Sequence, residues 1–248
     1  MVLCRALVAM FSQKVVADRV VFRGGTALHK LFFGAAGRYS EDIDLVQTTA
    51  EPIGPTMDAL RRRLDGWLGT PRREFSDGRV TLLYRFESEG EPAVRLKLKV
   101  EINSREHFTV LGLRDHPFAV HSRWFSGEAA VVGYTLDEQL GTKLRALYQR
   151  RKGRDLFDLW DALTRGASNP DRVVAAFLHY MKVEGHRVSR AEFEENLSRK
   201  LADARFVGDV APLLAPATSW RPDEAVALVR RELIARLPGD GWKGRGAP

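Results

Sequence analysis

One short stretch limits what this chain can fold into. Gly24-Gly25-Thr26 is followed, after a helical run, by Ser40-Glu41-Asp42-Ile43-Asp44-Leu45. Val20-Val21-Phe22 is β-branched and aromatic and reads as a short strand. Gly24-Gly25 ends it, and Thr26 can cap a helix from Ala27 to Phe33 that stops near Gly34. A strand, a Gly-Gly turn and a helix N-terminus leave bare backbone N–H groups aimed at one point, where phosphate binds well. An ordinary tight strand-to-helix turn uses the same residues, since glycine marks any tight turn. No Gly-Lys-Ser/Thr follows, so this is not a P-loop, and the third glycine of a dinucleotide fingerprint is missing.

Residues 42 to 46, Asp-Ile-Asp-Leu-Val, alternate in polarity as a half-buried strand does. Side chains two apart in a strand point the same way, roughly 7 Å apart at their Cα atoms. Asp42 and Asp44 therefore share one face, Ile43 and Leu45 the other. Two adjacent anions repel and are costly without a cation. Mg²⁺ or Mn²⁺ suits them, because Mg²⁺ takes hard oxygen ligands from one or two carboxylates plus substrate phosphates. A pair of such metals can activate an attacking hydroxyl and neutralise a leaving pyrophosphate. Taken alone, Asp-x-Asp also fits a solvated strand edge.

Gly24-Gly25-Thr26-Ala27-Leu28 and Arg38-Tyr39-Ser40-Glu41-Asp42-Ile43-Asp44-Leu45 together resemble the opening motif of the AbiEii/AbiGii-type nucleotidyltransferase toxins, which include the MenT-like toxins. These belong to the DNA polymerase β-like nucleotidyltransferase superfamily, whose pattern is a Gly-Gly or Gly-Ser turn, a helix, then Asp-x-Asp on the next strand. The Arg-x-Ser before the acids resembles the AbiEii branch more than polymerases or antibiotic-modifying enzymes. The resemblance covers roughly residues 20 to 160.

Two further segments carry it. Val94 to Ile102 alternates strictly and reads as a strand with Lys97, Lys99 and Glu101 on one face. The resemblance makes Glu101 the third carboxylate, beside Asp42 and Asp44, in a metal-binding set; solvated charge on a surface strand is the other reading. Leu140-Gly141-Thr142-Lys143, followed by Arg150-Arg151-Lys152-Gly153-Arg154-Asp155-Leu156-Phe157-Asp158, resembles the closing motif of the family. It implies catalytic roles for Asp42, Asp44, Glu101, Lys143 and Asp158. It also implies a nucleotide-binding set of Gly24, Gly25, Thr26, Arg38, Ser40 and Lys143. Asp155 lies on the helix face of Asp158 and could cap its helix or pair with Arg154. The basic run Arg150, Arg151, Lys152 and Arg154 is either a solvated turn or a hold on nucleic-acid phosphates.

The net charge of +7 suits an anionic partner, or serves solubility alone. Cys4 is the single cysteine, which excludes an internal disulfide and a cysteine zinc site, and the histidines show no ligand spacing. No apolar run is long enough for a membrane span. The N-terminus lacks the form of a signal peptide, so a cytoplasmic location is expected.

The expected organisation is α/β (α+β): a polymerase β-like nucleotidyltransferase domain with a mixed sheet over 1–134, a helical domain over 135–237, and a disordered tail over 238–248. Within it, 1–18 and 56–68 read as helices, 80–86 and 94–102 as paired strands, and 118–134 as one or two short strands. Trp220, Phe177 and Tyr180 are expected in the core. The resemblance implies a toxin of a toxin–antitoxin pair that transfers NMP from an NTP to an RNA acceptor, a tRNA 3′ end, with a cognate antitoxin protein as partner. NMP transfer to a protein or small molecule, and an inactive nucleotide- or RNA-binding module, are the alternatives.

Overall fold

The structure is a computed structural model and describes residues 1–34, 37–166, 168–216 and 218–244. The chain forms two compact units. The first comprises Met1–Gly34 and Ser40–Tyr134; the second takes residues 37–39 together with the chain from Thr135 onward.

The first unit is built on a mixed sheet of β1 (Val20–Arg23), β2 (Ile43–Gln47), β3 (Arg72–Ser76), β4 (Arg79–Glu87), β5 (Arg95–Asn103), β6 (Leu113–His121) and β7 (Ser126–Tyr134). The seven strands lie in the order β3-β4-β5-β2-β1-β7-β6. β2 runs parallel to β5 and β1 parallel to β7, while the remaining neighbours are antiparallel.

Alternation gives this sheet two different faces. One carries Phe22, Ile43, Leu45, Leu82, Val100 and Ile102, all buried. Helices α1 (Val2–Phe11) and α4 (Gly54–Leu68) lay Leu7, Met10, Leu60 and Leu64 into the same core. Burial of each such side chain contributes about 1.5–3 kcal/mol, so this face fixes the register. Arg23, Asp44, Lys99 and Glu101 are consequently turned to the opposite face, because a one-residue slip would bury them in the core.

Three local expectations differ from the structure. The helix expected over 1–18 breaks after Phe11, where the Ser12 hydroxyl donates to the Val8 carbonyl at 2.5 Å, and resumes as α2 (Lys14–Ala17). Strand β3 was not expected: its side chains are all exposed, so no buried face marks it in the sequence. Residues 118–134 belong to two nine-residue strands rather than short ones.

The second unit is helical: α5 (Leu136–Gln149), α6 (Gly153–Thr164), α7 (Pro170–Val183), α8 (Arg190–Leu201), α9 (Ala204–Gly208) and α10 (Pro222–Glu232). Thr135 caps α5, Asn169 caps α7, and Ser189 with Glu192 forms a capping box on α8. A Cβ at Gly141 would lie 2.7 Å from Ala176 Cβ, so this glycine permits the close approach of α5 and α7. Phe177 and Tyr180 are fully buried, and Trp220 packs edge-on against Phe157 and Trp160. The chain after α10 is tied to α8: Pro238 accepts from the Arg190 N–H, and the Trp242 N–H donates to Glu194. The remainder of the expected tail, residues 245–248, lies outside the described residues.

Candidate active site

Strand β1 delivers the chain into a helical segment that opens at Gly24 itself. Gly24 has φ +86°, a conformation that side chains other than glycine adopt only with strain. A Cβ there would lie 2.3 Å from Oδ2 of Asp44. The bare Cα thus leaves room for the Asp44 carboxylate against the turn. Gly25 and Thr26 are buried in the first helical turn. Thr26 does not cap the helix: no side chain caps this end, and the Thr26 hydroxyl lies 2.8 Å from the Ser40 hydroxyl. That bond ties the glycine turn to the loop that carries the acids. The helix continues from α3 (Gly24–Leu28) as a π-helical turn over His29–Phe33, and Gly34 stops it with φ +65°.

Asp44 sits within β2, and Asp42 immediately precedes that strand. Asp44 is the direct neighbour of Glu101 across the parallel β2–β5 pair, and of Arg23 across the antiparallel β1–β2 pair. Two carboxylates and a guanidinium are therefore set side by side on the face away from the core. Arg23 Nη1 donates to Glu106 at 2.5 Å.

Lys99 stands among the acids. Its Nζ is 2.8 Å from Glu101 and 3.7 Å from Asp42. Burial alone would lower the Lys99 ammonium, but the hydrogen bond to Glu101 and the fields of Glu101, Asp42 and Asp44 raise it above its ordinary value. Arg79 reaches Glu101 from β4 at 3.2 Å. Among the described residues no three of His, Cys, Asp or Glu converge as a metal-holding group. The donor set is thus the carboxylate pair Asp44 and Glu101, with Asp42 alongside and a cation, Lys99, as their present counter-charge. Hard oxygens, a carboxylate pair in register and the open cradle at Gly24 fit a divalent ion whose shell is completed by phosphate and water.

The second unit holds the other expected residues in a buried ionic cluster. Asp158 is fully buried and receives two bonds from Arg38, Nε and Nη2 each at 2.7 Å, and one from Lys143 at 2.7 Å. Asp155 is also fully buried; Arg150 grips it with Nε at 2.6 Å and Nη2 at 2.7 Å, and Lys143 lies 3.4 Å away. Three cations share two carboxylates. The fork geometry of both arginines matches a carboxylate bidentately, which makes these strong charge-assisted bonds. Asp155 therefore pairs with Arg150 and Lys143, in place of the Arg154 pairing considered from the sequence. Arg154 instead faces Asp209, with Nε 4.0 Å from it, as does Lys152 at 3.9 Å; Arg151 lies 3.9 Å from Asp203.

Asp42, Asp44 and Glu101 stand out in the sequence, and Lys99 is expected on the face of Glu101, but Arg23 and Arg79 are not expected as their neighbours. The strict alternation of 94–102 signalled Lys99, which shares its face with Glu101. Arg23 carries no comparable signal, because its place beside the acids depends on strand order, and Arg79 lies one residue before the strand expected over 80–86.

The family model for the AbiEii toxin, a nucleotidyl transferase of type IV toxin–antitoxin systems, matches residues 5–228. No curated protein matches the chain. Among solved structures, the fold is similar to MenT4, a nucleotidyltransferase toxin from Mycobacterium tuberculosis, with 21% identity, a TM-score of 0.63, and coverage of 95% of this chain and 82% of that one. It is also similar to JHP933 from Helicobacter pylori, with 17% identity, a TM-score of 0.53, and coverage of 92% and 85%. At these identities the solved structures speak to the fold alone. The family match spans most of both units, and the glycine turn and acidic strand lie inside it: the chain belongs to the AbiEii family of nucleotidyltransferase toxins of type IV toxin–antitoxin systems.

Proposed function

We propose that the chain transfers a nucleoside monophosphate from an NTP to an RNA acceptor, a tRNA 3′ end, in a reaction that needs Mg²⁺ or Mn²⁺. The observation that carries this reading is the register of Asp44 with Glu101 beside the Gly24 turn. In the reaction an acceptor hydroxyl oxygen bonds to the α-phosphorus, the bond to pyrophosphate breaks, and the hydroxyl proton is lost.

Asp42, Asp44 and Glu101 would hold the divalent ion, which supplies charge neutralisation at the phosphates and at the leaving pyrophosphate. The turn at Gly24 and Gly25 offers backbone N–H groups to the triphosphate. Thr26 and Ser40, bonded to each other, position that turn against the acidic loop. Lys99 offsets the charge of the acids and keeps their carboxylates gathered in the free protein. Lys143 and Asp158 keep the roles implied by the family motif as part of this reading. Arg38 is read as a positioning residue, because its Nε–Nη2 edge is used on Asp158 and its Nη1 donates to the Tyr39 carbonyl. The cognate antitoxin is the protein partner that the family implies. Among the described residues no helix is long and apolar enough to cross a membrane.

The test is direct. The protein is incubated with Mg²⁺ and each labelled NTP in turn, with total RNA or total protein as acceptor, and with EDTA in a parallel arm. Label that is lost to ribonuclease and absent with EDTA is the expected result. Label that survives ribonuclease but not protease would move the acceptor to protein and leave nucleotidyl transfer standing. Undiminished transfer in EDTA would remove the metal.

A further inference from the structure

The face of the sheet that bears Asp44 and Glu101 does not end with them. Strand β5 continues on the same side through Lys99, Lys97 and Arg95, and β4 sets Arg79 and Arg85 beside them. The geometry points to this ribbon of β4 and β5 as the surface along which the phosphate backbone of the RNA acceptor lies as it enters the site. The inference rests on the reading of the acceptor as RNA.

Three observations carry it. First, the cations are turned outward by the same alternation that buries Leu98, Val100, Leu82 and Tyr84 on the opposite side, so they form a row and not a scatter. Lys97 lies four residues from Glu101 along one strand, roughly 13 Å by strand rise, which places it close enough to hold a nucleotide next to one whose hydroxyl is at the acids. Second, Arg85 and Lys97 are direct cross-strand partners. Like charges in that relation destabilise a sheet, and a bound polyanion would relieve the repulsion. Third, these charges are lightly committed. The Lys97 side chain is 61% exposed and its carboxylate contact, Glu41, is 3.8 Å away. Arg85 is exposed and makes no ion pair among the described residues. The basic run at 150–154, by contrast, has Arg150 locked on a buried carboxylate, with Asp203 and Asp209 beside the others. Glu87, opposite Arg95, limits the row at its far end.

The experiment replaces Arg85 and Lys97 together by serine and follows labelled transfer to total RNA over a range of salt. If each touches a phosphate, the slope of log acceptor affinity against log salt should shrink by about two. The Kd for NTP should move less than twofold. Because the substitution removes a cross-strand repulsion, the melting temperature should not fall, which shows that the variant is folded. Ribonuclease-sensitive labelling by the wild type, together with an unaltered salt slope in the double variant, overturns the surface alone. No ribonuclease-sensitive labelling by the wild type overturns the RNA reading, and this surface with it.

Discussion

Asp44 and Glu101, 57 residues apart in the chain, are immediate neighbours across two parallel strands. Their like charges are held together by the apolar residues behind them, Ile43, Leu45, Val100 and Ile102, which cannot leave the core without shifting the register. A repulsion retained in this way is usable for binding a cation. Asp44→Asn and Glu101→Gln should each lower transfer on the order of 10³-fold, several kcal/mol of lost charge stabilisation. Asp44→Asn should not lower the melting temperature, since it removes repulsion, whereas Glu101→Gln also gives up the ion pairs with Lys99 and Arg79 and should lower it slightly. Pyrophosphate release and thermal unfolding measure the two effects. Full transfer by Asp44→Asn would refute the metal model.

Gly24→Ala should be more damaging than Gly25→Ala. At Gly24 the added methyl meets both a positive φ and the Asp44 carboxylate. The backbone strain costs about 1–2 kcal/mol, and the displaced Asp44 should cost activity besides. Denaturant unfolding and pyrophosphate release, read together, separate these parts. Equal behaviour of the two alanine variants would show that the Gly24 contact is without consequence.

Arg38 and Lys143 should part company on substitution. Lys143→Met leaves Arg38 on Asp158 and Arg150 on Asp155, a balanced pair of ion pairs, so the fold should survive with a modest loss of stability. Arg38→Ala strips Asp158 of its bidentate partner in a buried site and should cost about 3–5 kcal/mol. Arg38→Lys should recover part of this, because one ammonium cannot reproduce the fork. If Lys143 serves the nucleotide, Lys143→Met raises the KM for NTP; an unchanged KM would confine Lys143 to a structural role.

Lys200 gives the fold a pH dependence. It is buried and donates to the Leu147 carbonyl and, at 2.6 Å, to the Tyr148 carbonyl. Burial pushes its ammonium down from the ordinary 10.5 to about 8. Between these two values the unfolded chain keeps a proton that the folded chain has released, so stability rises with pH across that window. The gain is complete above about 10.5 and is lost as pH falls through about 8. Subtracting the stability curve of Lys200→Met from that of the wild type isolates the contribution. A flat difference between pH 8 and 10 would contradict it.

The parts of this molecule written in local pattern were legible in the sequence, and the parts written in topology were not. Alternation around Asp44 and Glu101 marked both strands and the outward faces of both acids. It could not reveal that the strands adjoin, which only the order β5-β2-β1 provides. Strand β3 went unseen because it has no buried face to mark it. Thr26 had the chemistry of a cap but found a hydroxyl partner 14 residues away. Arg38 and Lys143 read as cations for phosphate because their carboxylate partners are supplied by a helix that sequence spacing does not bring near Arg38.

The bond between Arg38 and Asp158 joins residues separated by 120 positions. A ribosome adding 5–20 residues per second makes the arginine on the order of ten seconds before its counter-charge. The helical unit therefore cannot close its ionic centre until α6 has been synthesised, although one of its members left the ribosome much earlier. Nor can that unit be excised at residue 135: a fragment beginning there would lack Arg38 and carry Asp158 into its interior without its bidentate partner.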